Sequence, residues 1–351
     1  MSTTPLLEVR DLVQEFATRS INGRRQVVQA VSGVSLEVRV GETLGIVGES
    51  GSGKSTLARA VLRVPPPKSG QVFLEGTDLT KLDRRELRRE LRNIQMVFQD
   101  PFTSVDPKWR VSRIVGEPLR AFAIGTREER DKRVAEVLDL VGLDPSMYSD
   151  RYPRQLSGGQ CQRVAIARAL VLSPSLIICD EAVSSLDVLI QAQVLNLFER
   201  LREELGLAYL FIAHDLALVN QVSDRVAVMY MGKLCEVGPS DDLYLAPRHP
   251  YTAALLSSIP DPDPFHERVL TDQWISGEPP SPVNPPSGCR FRTRCPRAEA
   301  RCAAEEPLMH DIGTDHQVAC HFPLTPQEAD ELVSTISTNA SDDAGEGALE
   351  P

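Results

Sequence analysis

Apolar and polar positions alternate in the first part of the chain. Leu7–Arg10 and Val34–Val38 show this alternation on either side of a polar loop rich in Arg and Gly, which predicts antiparallel strands. Thr43–Val47 is short and apolar, Gly48–Gly53 is rich in glycine, and Lys54–Leu62 carries apolar residues at helical spacing. The pattern therefore predicts a strand, a loop and a helix in that order.

Strands and helices continue to alternate further along the chain. The predicted elements are a charged helix over Asp83–Arg92, a strand over Asn93–Phe98, helices within Val111–Leu143, a helix that follows Ser157–Gln160 and runs through Leu170, a strand over Leu176–Cys179, a helix over Gln191–Leu205 and a strand over Tyr209–Ala213. This order predicts an α/β fold with a largely parallel sheet and a helical insert.

Composition adds limits to this picture. The 351 residues are 42% hydrophobic, which is enough for about two globular domains. A net charge of -11 disfavours nucleic acid and anionic lipid as direct partners. No secretory signal and no apolar run of about 20 residues is visible, so we expect a cytosolic chain that reaches a membrane only through a partner.

A phosphate-binding pattern lies between the predicted strand and helix. The segment Gly48-Glu49-Ser50-Gly51-Ser52-Gly53-Lys54-Ser55-Thr56 matches G-x-x-x-x-G-K-[ST]. Its glycines let backbone N–H groups surround phosphate oxygens, Lys54 reaches the terminal phosphates, and the Ser55 hydroxyl can bind Mg²⁺. A glycine turn with an unrelated lysine is the less favoured interpretation.

Polar residues at three further strand ends fit the same nucleotide. Asp180 can complete the Mg²⁺ shell, and Glu181 can orient or deprotonate the water that attacks the γ-phosphate. His214 could hydrogen-bond the γ-phosphate, and Gln99 offers an amide oxygen to the metal or its water. A lone histidine at a strand end is more often structural, and even beside the phosphate loop a structural role is as plausible as a functional one for Gln99 and His214 from the residues alone.

Four of the seven cysteines lie close together in the last quarter of the sequence: Cys289, Cys295, Cys302 and Cys320. Their spacing fits no zinc finger, although four thiolates can hold zinc or an iron–sulfur cluster. Pro296 follows Cys295 as in ferredoxin-type ligands. From the residues alone, an iron–sulfur cluster, zinc and free thiols in a small arm all remain open.

Leu156-Ser157-Gly158-Gly159-Gln160 resembles the signature motif of the ATP-binding subunits of ABC transporters, and the resemblance extends over about residues 7–323. It implies ATP and Mg²⁺ as ligands, with Gly48 to Thr56 as Walker A, Gln99 as the Q-loop glutamine, Asp180 and Glu181 as Walker B, Ser184 to Asp187 as the D-loop and His214 as the switch histidine. Phe16 is similar to the aromatic residue that stacks on adenine.

The same resemblance implies a mechanism and partners. Two such subunits, identical or paralogous, pack head to tail, and the signature residues Ser157, Gly158, Gly159 and Gln160 contact the nucleotide of the opposite subunit. Two membrane permease subunits and an extracytoplasmic solute-binding protein complete the transporter, so the chain is expected at the cytoplasmic face of the cell membrane. The fold implied is a P-loop ABC nucleotide-binding domain, with a RecA-like core, an antiparallel β subdomain and an α-helical subdomain.

Further segments resemble the dipeptide/oligopeptide importer branch, and Asp180 to Ser184 resembles the second ATPase of its heteromeric systems. The segments are Asp100 to Ser104, Ser185 to Gln193, His249 to Leu256, Gly277 to Pro282, Gly288 to Pro296 and Ala319 to His321. Some members of this branch carry a 4Fe-4S cluster in the C-terminal arm. Cys161 and Ser185 depart from the family pattern without removing a catalytic group.

The expected organisation is an ABC domain over residues 1–247, with the helical subdomain at about 100–160. An arm containing the cysteines covers 248–325 and is irregular over Pro260–Gly288, and a disordered tail covers 326–351. Alternatives are an importer ATPase for nickel or another solute, a soluble ABC ATPase of DNA repair or translation, and a regulatory subunit without hydrolysis. Tandem domains or a basic surface would favour the second, and loss of Glu181 or His214 the third.

Overall fold

The computed structural model describes residues 5–19, 23, 25–257 and 278–329. Most of the predicted irregular segment and residues 330–351 of the predicted tail lie outside these residues, whereas residues 326–329 of that tail are described and are helical. The chain divides into two compact units and passes between them several times. The first unit contains residues 1–13, 33–45 and 55–213, and the second contains residues 14–32, 46–54 and 214–351.

Three strands and one helix contribute residues to both units: β1 (Leu7–Arg19), β2 (Arg25–Val38), β3 (Thr43–Val47) and α1 (Lys54–Val61). The first unit continues with β4 (Ser69–Leu74), β5 (Thr77–Asp78), α2 (Arg84–Glu90), β6 (Ile94–Val97), α3 (Val111–Val115), α4 (Glu117–Ala121), α5 (Arg127–Leu140), α6 (Pro145–Tyr148), α7 (Gly158–Leu170), β7 (Leu176–Asp180), α8 (Val188–Leu205) and β8 (Ala208–Ile212). The second unit holds α9 (Leu216–Val222), β9 (Arg225–Tyr230), β10 (Lys233–Pro239), α10 (Ser240–Leu245), α11 (Pro250–Ser257), α12 (Ala300–Ala304), β11 (His310–Gly313) and β12 (His316–Val318).

Parallel strands β6, β7 and β8 form the centre of the first unit. Their register places Val97 beside Cys179 and Cys179 beside Phe211. Every residue of β7 and β8 is buried, as expected for parallel strands covered on both faces. The carboxyl ends of parallel strands share one edge, so the residues that follow β6 and β7 are brought together there.

Helix α8 packs an apolar stripe against this sheet. Val194, Phe198 and Leu201 are buried at helical spacing. The Phe198 ring meets the rings of Tyr209 and Phe211 edge-on, at centroid distances of 5.4 and 6.1 Å. The helix begins at Val188, earlier than the predicted Gln191, because the Asp187 side chain caps it by accepting from the Ile190 N–H at 3.1 Å.

The antiparallel strand predicted at Leu7–Arg10 is confirmed, and it pairs with β4 from Leu7 beside Leu74 to Arg10 beside Gln71. Strand β4 pairs in turn with the short strand β5. The predicted strands around residues 43, 94, 176 and 209 are also confirmed, with ends shifted by a few residues. The helices predicted after the first three of these strands are confirmed as well.

The second unit contains an antiparallel arrangement in the order β9, β10, β12, β11. The β9–β10 hairpin turns at Met231 and Gly232, both with positive φ, 45° and 82°, as such tight turns require. Strands β11 and β12 were not predicted, because their three or four residues are mostly polar. No helix in the described part of the chain is long and apolar enough to span a membrane.

Candidate nucleotide site and cysteine pocket

The phosphate loop has a backbone that only glycine can adopt at two positions. Gly48 has φ 154°, and a Cβ there would lie 2.0 Å from the Met229 carbonyl oxygen. Gly53 has φ 106°, and its Cβ would lie 2.1 Å from the Ala30 carbonyl oxygen. Both contacts are far shorter than a van der Waals distance, so these glycines fix the path of the loop.

Lys54 closes the loop on itself. Its side chain is 4% exposed, and Nζ donates to the carbonyl oxygens of Gly48 and Glu49 at 2.6 and 3.0 Å. The Ser52 N–H donates to the Glu49 carbonyl at 3.1 Å. Ser50 and Gly51 are exposed at the tip. A cation is thus held inside a ring of backbone at the start of α1, as a phosphate-binding loop requires.

Ser55 and Asp180 form the pair expected to bind Mg²⁺. The Ser55 hydroxyl donates to the Asp180 carboxylate at 2.6 Å, although the two residues are 125 positions apart. Asp180 is the last residue of β7 and is 5% exposed. A hydroxyl and a carboxylate are hard oxygen ligands that suit Mg²⁺, so the residues present fit this ion. Thr56 follows in α1 and is half-buried.

Glu181 and Gln99 meet beyond the ends of β7 and β6. Gln99 Nε2 donates to the Glu181 carboxylate at 2.8 Å and lies 3.4 Å from the Ser184 hydroxyl. Glu181 has φ 52°, a left-handed conformation that costs free energy in a residue other than glycine and is common at functional sites. The Ser185 hydroxyl donates to the Gln99 carbonyl at 3.1 Å, a contact that sequence reasoning missed.

The signature residues form the N-terminus of α7. Ser157 is the N-cap, and its hydroxyl accepts from the Gln160 N–H while the Gln160 side chain accepts from the Ser157 N–H. Ser157 is exposed, and Gly158 is half-buried. A Cβ on Gly159 would lie 2.5 Å from Ile190 Cγ2, so this glycine lets α7 pack closely on α8. The exposed helix start can bind an anion.

Two predicted residues lie in the second unit with residues 46–54. His214 follows the end of β8 and is exposed. Phe16 lies in β1 with 40% of its surface exposed. The structure therefore joins Ser55 to Asp180 and Gln99 to Glu181, while Ser157 bonds within its own turn.

The four clustered cysteines line one pocket. Cys289, Cys295, Cys302 and Cys320 surround it, together with Phe291, Phe322, Arg292, Arg297 and other residues of the second unit. A backbone hydrogen bond from Cys289 N–H to the Cys302 carbonyl, 2.8 Å long, joins two of the cysteine segments. Sequence reasoning placed these residues in one arm, and the structure brings all four to one cavity.

Backbone N–H groups point at three of the sulfur atoms. Those of Phe291, Arg297 and Phe322 each hydrogen-bond the cysteine two positions earlier. Burial nevertheless dominates, and it raises the pKa of Cys295 to about 11 and that of Cys320 to about 12. These free thiols are protonated at neutral pH, and a metal would have to displace their protons.

Within the residues that the structure describes, no group of three or more His, Cys, Asp or Glu side chains is arranged to hold one metal ion. A single zinc ion needs every sulfur about 2.3 Å from one point. A 4Fe-4S cluster gives each thiolate its own iron atom, so its four sulfurs stand further apart. The four thiols share one pocket, which Phe291, Phe322, Arg292 and Arg297 also line, and within the described residues their arrangement forms no metal site.

Comparison with known proteins identifies the family. A sequence profile described as ABC transporter matches residues 31–184, and one described as oligopeptide/dipeptide transporter, C-terminal region, matches residues 235–302. The oligopeptide transport ATP-binding protein AppF of Bacillus subtilis is 50% identical to this chain, over 90% of this chain and 97% of AppF. The chain belongs to the ATP-binding subunits of ABC transporters, in the oligopeptide and dipeptide branch.

Solved structures agree with this assignment of the ABC subunit. CbiO1 of Clostridium perfringens, part of an ABC transporter complex, is 27% identical with a TM-score of 0.59, over 68% of this chain and 90% of CbiO1. The ATP-binding cassette MJ0796, a dimer in a post-hydrolysis state with ADP and Pi, is 29% identical with a TM-score of 0.59, over 67% of this chain and 98% of that one. The predicted P-loop ABC fold and ATPase activity are confirmed.

Proposed function

We propose that this ABC ATPase drives the import of dipeptides or oligopeptides through a membrane transporter. The name of AppF, which is half identical over nearly its whole length, supports a peptide as the solute. The match of residues 235–302 to the C-terminal region of oligopeptide/dipeptide transporters supports the same branch. Nickel and other solutes are alternatives that an uptake assay would distinguish.

The site residues take the following roles in this proposal. Lys54 and the N–H groups of residues 48–54 hold the phosphates, Ser55 and Asp180 hold Mg²⁺ with Gln99 on the metal or its water, and Phe16 stacks on adenine. Glu181 accepts the proton of the water that attacks the γ-phosphorus, and His214 donates to the γ-phosphate. The Gln99–Glu181 hydrogen bond of 2.8 Å is the observation that carries the proposal, because it orients the base beside the Ser55–Asp180 pair.

Glu181→Gln tests the function directly. The amide cannot accept the proton, so ATP hydrolysis and uptake of a labelled dipeptide should fall by about a hundredfold or more, while ATP remains bound. Hydrolysis is measured with the assembled transporter, and uptake with cells that lack the native gene. Glu199→Gln, an exposed change on α8, is the matched control. A Glu181→Gln transporter with full turnover would exclude Glu181 as the base.

A second ATP-binding subunit, identical or paralogous, completes the proposed site. Ser157 to Gln160 of one subunit would contact the γ-phosphate bound by the other, and their exposed position at a helix start supports this. Val188 and Leu189 are 78% exposed directly after Asp187, as expected of apolar residues that a partner covers. ATP should therefore convert Glu181→Gln subunits into stable dimers, detectable by sedimentation.

Two membrane permease subunits and an extracytoplasmic solute-binding protein are the other proposed partners, which places the chain at the cytoplasmic face of the membrane. A cleft of about 330 Å³ in the first unit supports the permease contact. Leu62, Phe98, Ala121 and Phe122 line it beside the strand that leads to Gln99. Ala121→Glu should reduce co-purification from detergent-solubilised membranes, whereas Ala304→Glu on α12 should not.

We also propose that the cysteine pocket holds a 4Fe-4S cluster with Cys289, Cys295, Cys302 and Cys320 as ligands. Arg292 and Arg297 line the pocket and would offset the negative charge of a thiolate-bound cluster. When bound, the cluster would cross-link segments of the arm that have little apolar surface of their own. A structural role is proposed rather than electron transfer.

An absorbance spectrum and an iron analysis of the anaerobically purified chain test this. We expect a broad absorbance band from the cluster in the visible region of the spectrum and about four iron atoms per chain. Cys320→Ser should lose most of the iron, while Cys161→Ser, a buried cysteine outside the pocket, should retain it. One zinc ion per chain, or no metal, would contradict the proposal.

The proposed organisation is the one expected from the sequence. The ABC domain covers residues 1–247 with a helical subdomain at about 100–160, the arm covers 248–325, and residues 326–351 form a tail. Both sequence profiles support the order of the first two parts, because one matches before residue 185 and the other after residue 234.

A further inference from the structure

Glu49 of the phosphate loop forms an ion pair with a residue of the cysteine segment, by which we mean residues 289–302. Arg294 lies directly before Cys295, and its Nη1 donates to both carboxylate oxygens of Glu49, at 3.0 and 2.9 Å. The Arg294 side chain is 6% exposed and that of Glu49 25%. An ion pair shielded from water to this extent constrains its partners more than a surface pair does.

Aromatic residues of the same unit fix this contact in place. The Tyr251 hydroxyl accepts from the Glu49 N–H at 2.9 Å, so both the backbone and the side chain of Glu49 are held. Tyr251 packs on Tyr230 and Phe291 at centroid distances of 4.6 and 5.2 Å. Arg294 also donates to the Tyr230 hydroxyl at 3.3 Å. The loop therefore rests on a buried aromatic cluster that includes residues on both sides of Cys289.

Glu49 contacts both Arg294 and the residues that are proposed to bind the phosphates. Its carbonyl accepts from Lys54 Nζ and from the Ser52 N–H, so the position of Glu49 sets the position of the phosphate-binding ammonium. Its carboxylate is also a negative charge on the loop that must surround a triphosphate. Arg294 offsets that charge and fixes the residue that carries it.

We propose that Arg294 is a positioning residue for nucleotide binding, acting through Glu49 on the phosphate loop. It touches neither the substrate nor the reacting atoms. The inference rests on the proposed nucleotide site, and it adds a direct link from the cysteine segment to that site. It gives the arm a role in ATP affinity in addition to any role in holding a cluster.

The test is the affinity of the full-length chain for MgADP, measured by titration calorimetry. Arg294→Met leaves the Glu49 carboxylate unpaired on the loop, so the Kd should rise about tenfold. Arg294→Lys keeps the charge and should stay within about threefold of the unchanged chain. Arg294→Met combined with Glu49→Gln removes both charges and should bind about threefold more tightly than Arg294→Met alone.

Controls separate positioning from folding and from failure of the site itself. Arg301→Met removes an exposed ion pair with Glu305 in the same arm and should leave the Kd unchanged. In the assembled transporter, Arg294→Met should raise the KM for ATP about tenfold with kcat changed less than twofold. A lower melting temperature with an unchanged Kd would overturn the proposal. Lys54→Ala must abolish MgADP binding, and retention of binding there would instead overturn the proposed nucleotide site.

Discussion

At the scale of single residues, backbone geometry limits the phosphate loop. Gly48→Ala would place a methyl group 2.0 Å from the Met229 carbonyl oxygen, and a backbone oxygen cannot move away without shifting β9. We expect the Kd for MgADP to rise by at least about tenfold and the melting temperature to fall. Titration calorimetry and a thermal melt measure the two effects.

Gly76→Ala is the matched control for this change. Gly76 also has a left-handed φ, 79°, but a Cβ there would meet nothing within 4 Å. The substitution should cost about 1 kcal/mol of stability through backbone strain alone and leave the Kd unchanged. Equal Kd values for the Gly48 variant and the unchanged chain would show that the loop adapts to a side chain.

At the scale of elements, two helices begin with the same kind of capping box. Comparing them separates the capping role of Ser157 from its proposed contact with ATP. Ser157 caps α7 with Gln160, and Thr126 caps α5 with Glu129. Each hydroxyl accepts from its third helical N–H at 3.3 Å. Replacing either with Ala should therefore cost about 1 kcal/mol of stability.

The ATPase rate should distinguish the Ser157→Ala variant from the Thr126→Ala variant. Ser157→Ala removes a proposed contact to the γ-phosphate of the opposite subunit, so the ATPase rate of the assembled transporter should fall about tenfold or more. Thr126→Ala should keep nearly the full rate. A similar loss of rate in both variants would mean that helix stability explains the effect and that Ser157 has no direct role.

Local sequence patterns predicted the strand, loop and helix around Lys54 because each depends on residues close in sequence. The same holds for the carboxylates at the end of β7. The Arg294–Glu49 pair could not be predicted, because its partners are 245 positions apart and neither lies in a pattern that points to the other.

At the scale of the whole molecule, a buried carboxyl group joins distant parts of the second unit. Glu236 in β10 is 0% exposed. It accepts from the N–H groups of Arg248 and His249, each at 2.8 Å, and lies 2.8 Å from His316 Nε2 in β12. One side chain thus connects β10, the segment before α11 and strand β12, which lies between Cys302 and Cys320.

Glu236→Gln should therefore weaken the entire arm. The amide group has one acceptor oxygen in place of two, so at least one buried N–H loses its partner, at a cost of about 3 kcal/mol. Urea unfolding measures that loss, and limited proteolysis should cut residues 248–325 faster. Glu306→Gln is the control, because Glu306 pairs with Lys233 at a half-exposed surface and should cost less than about 1 kcal/mol. Equal stability of the two variants would mean that the arm is held by its apolar contacts and cysteines, with Glu236 contributing only packing.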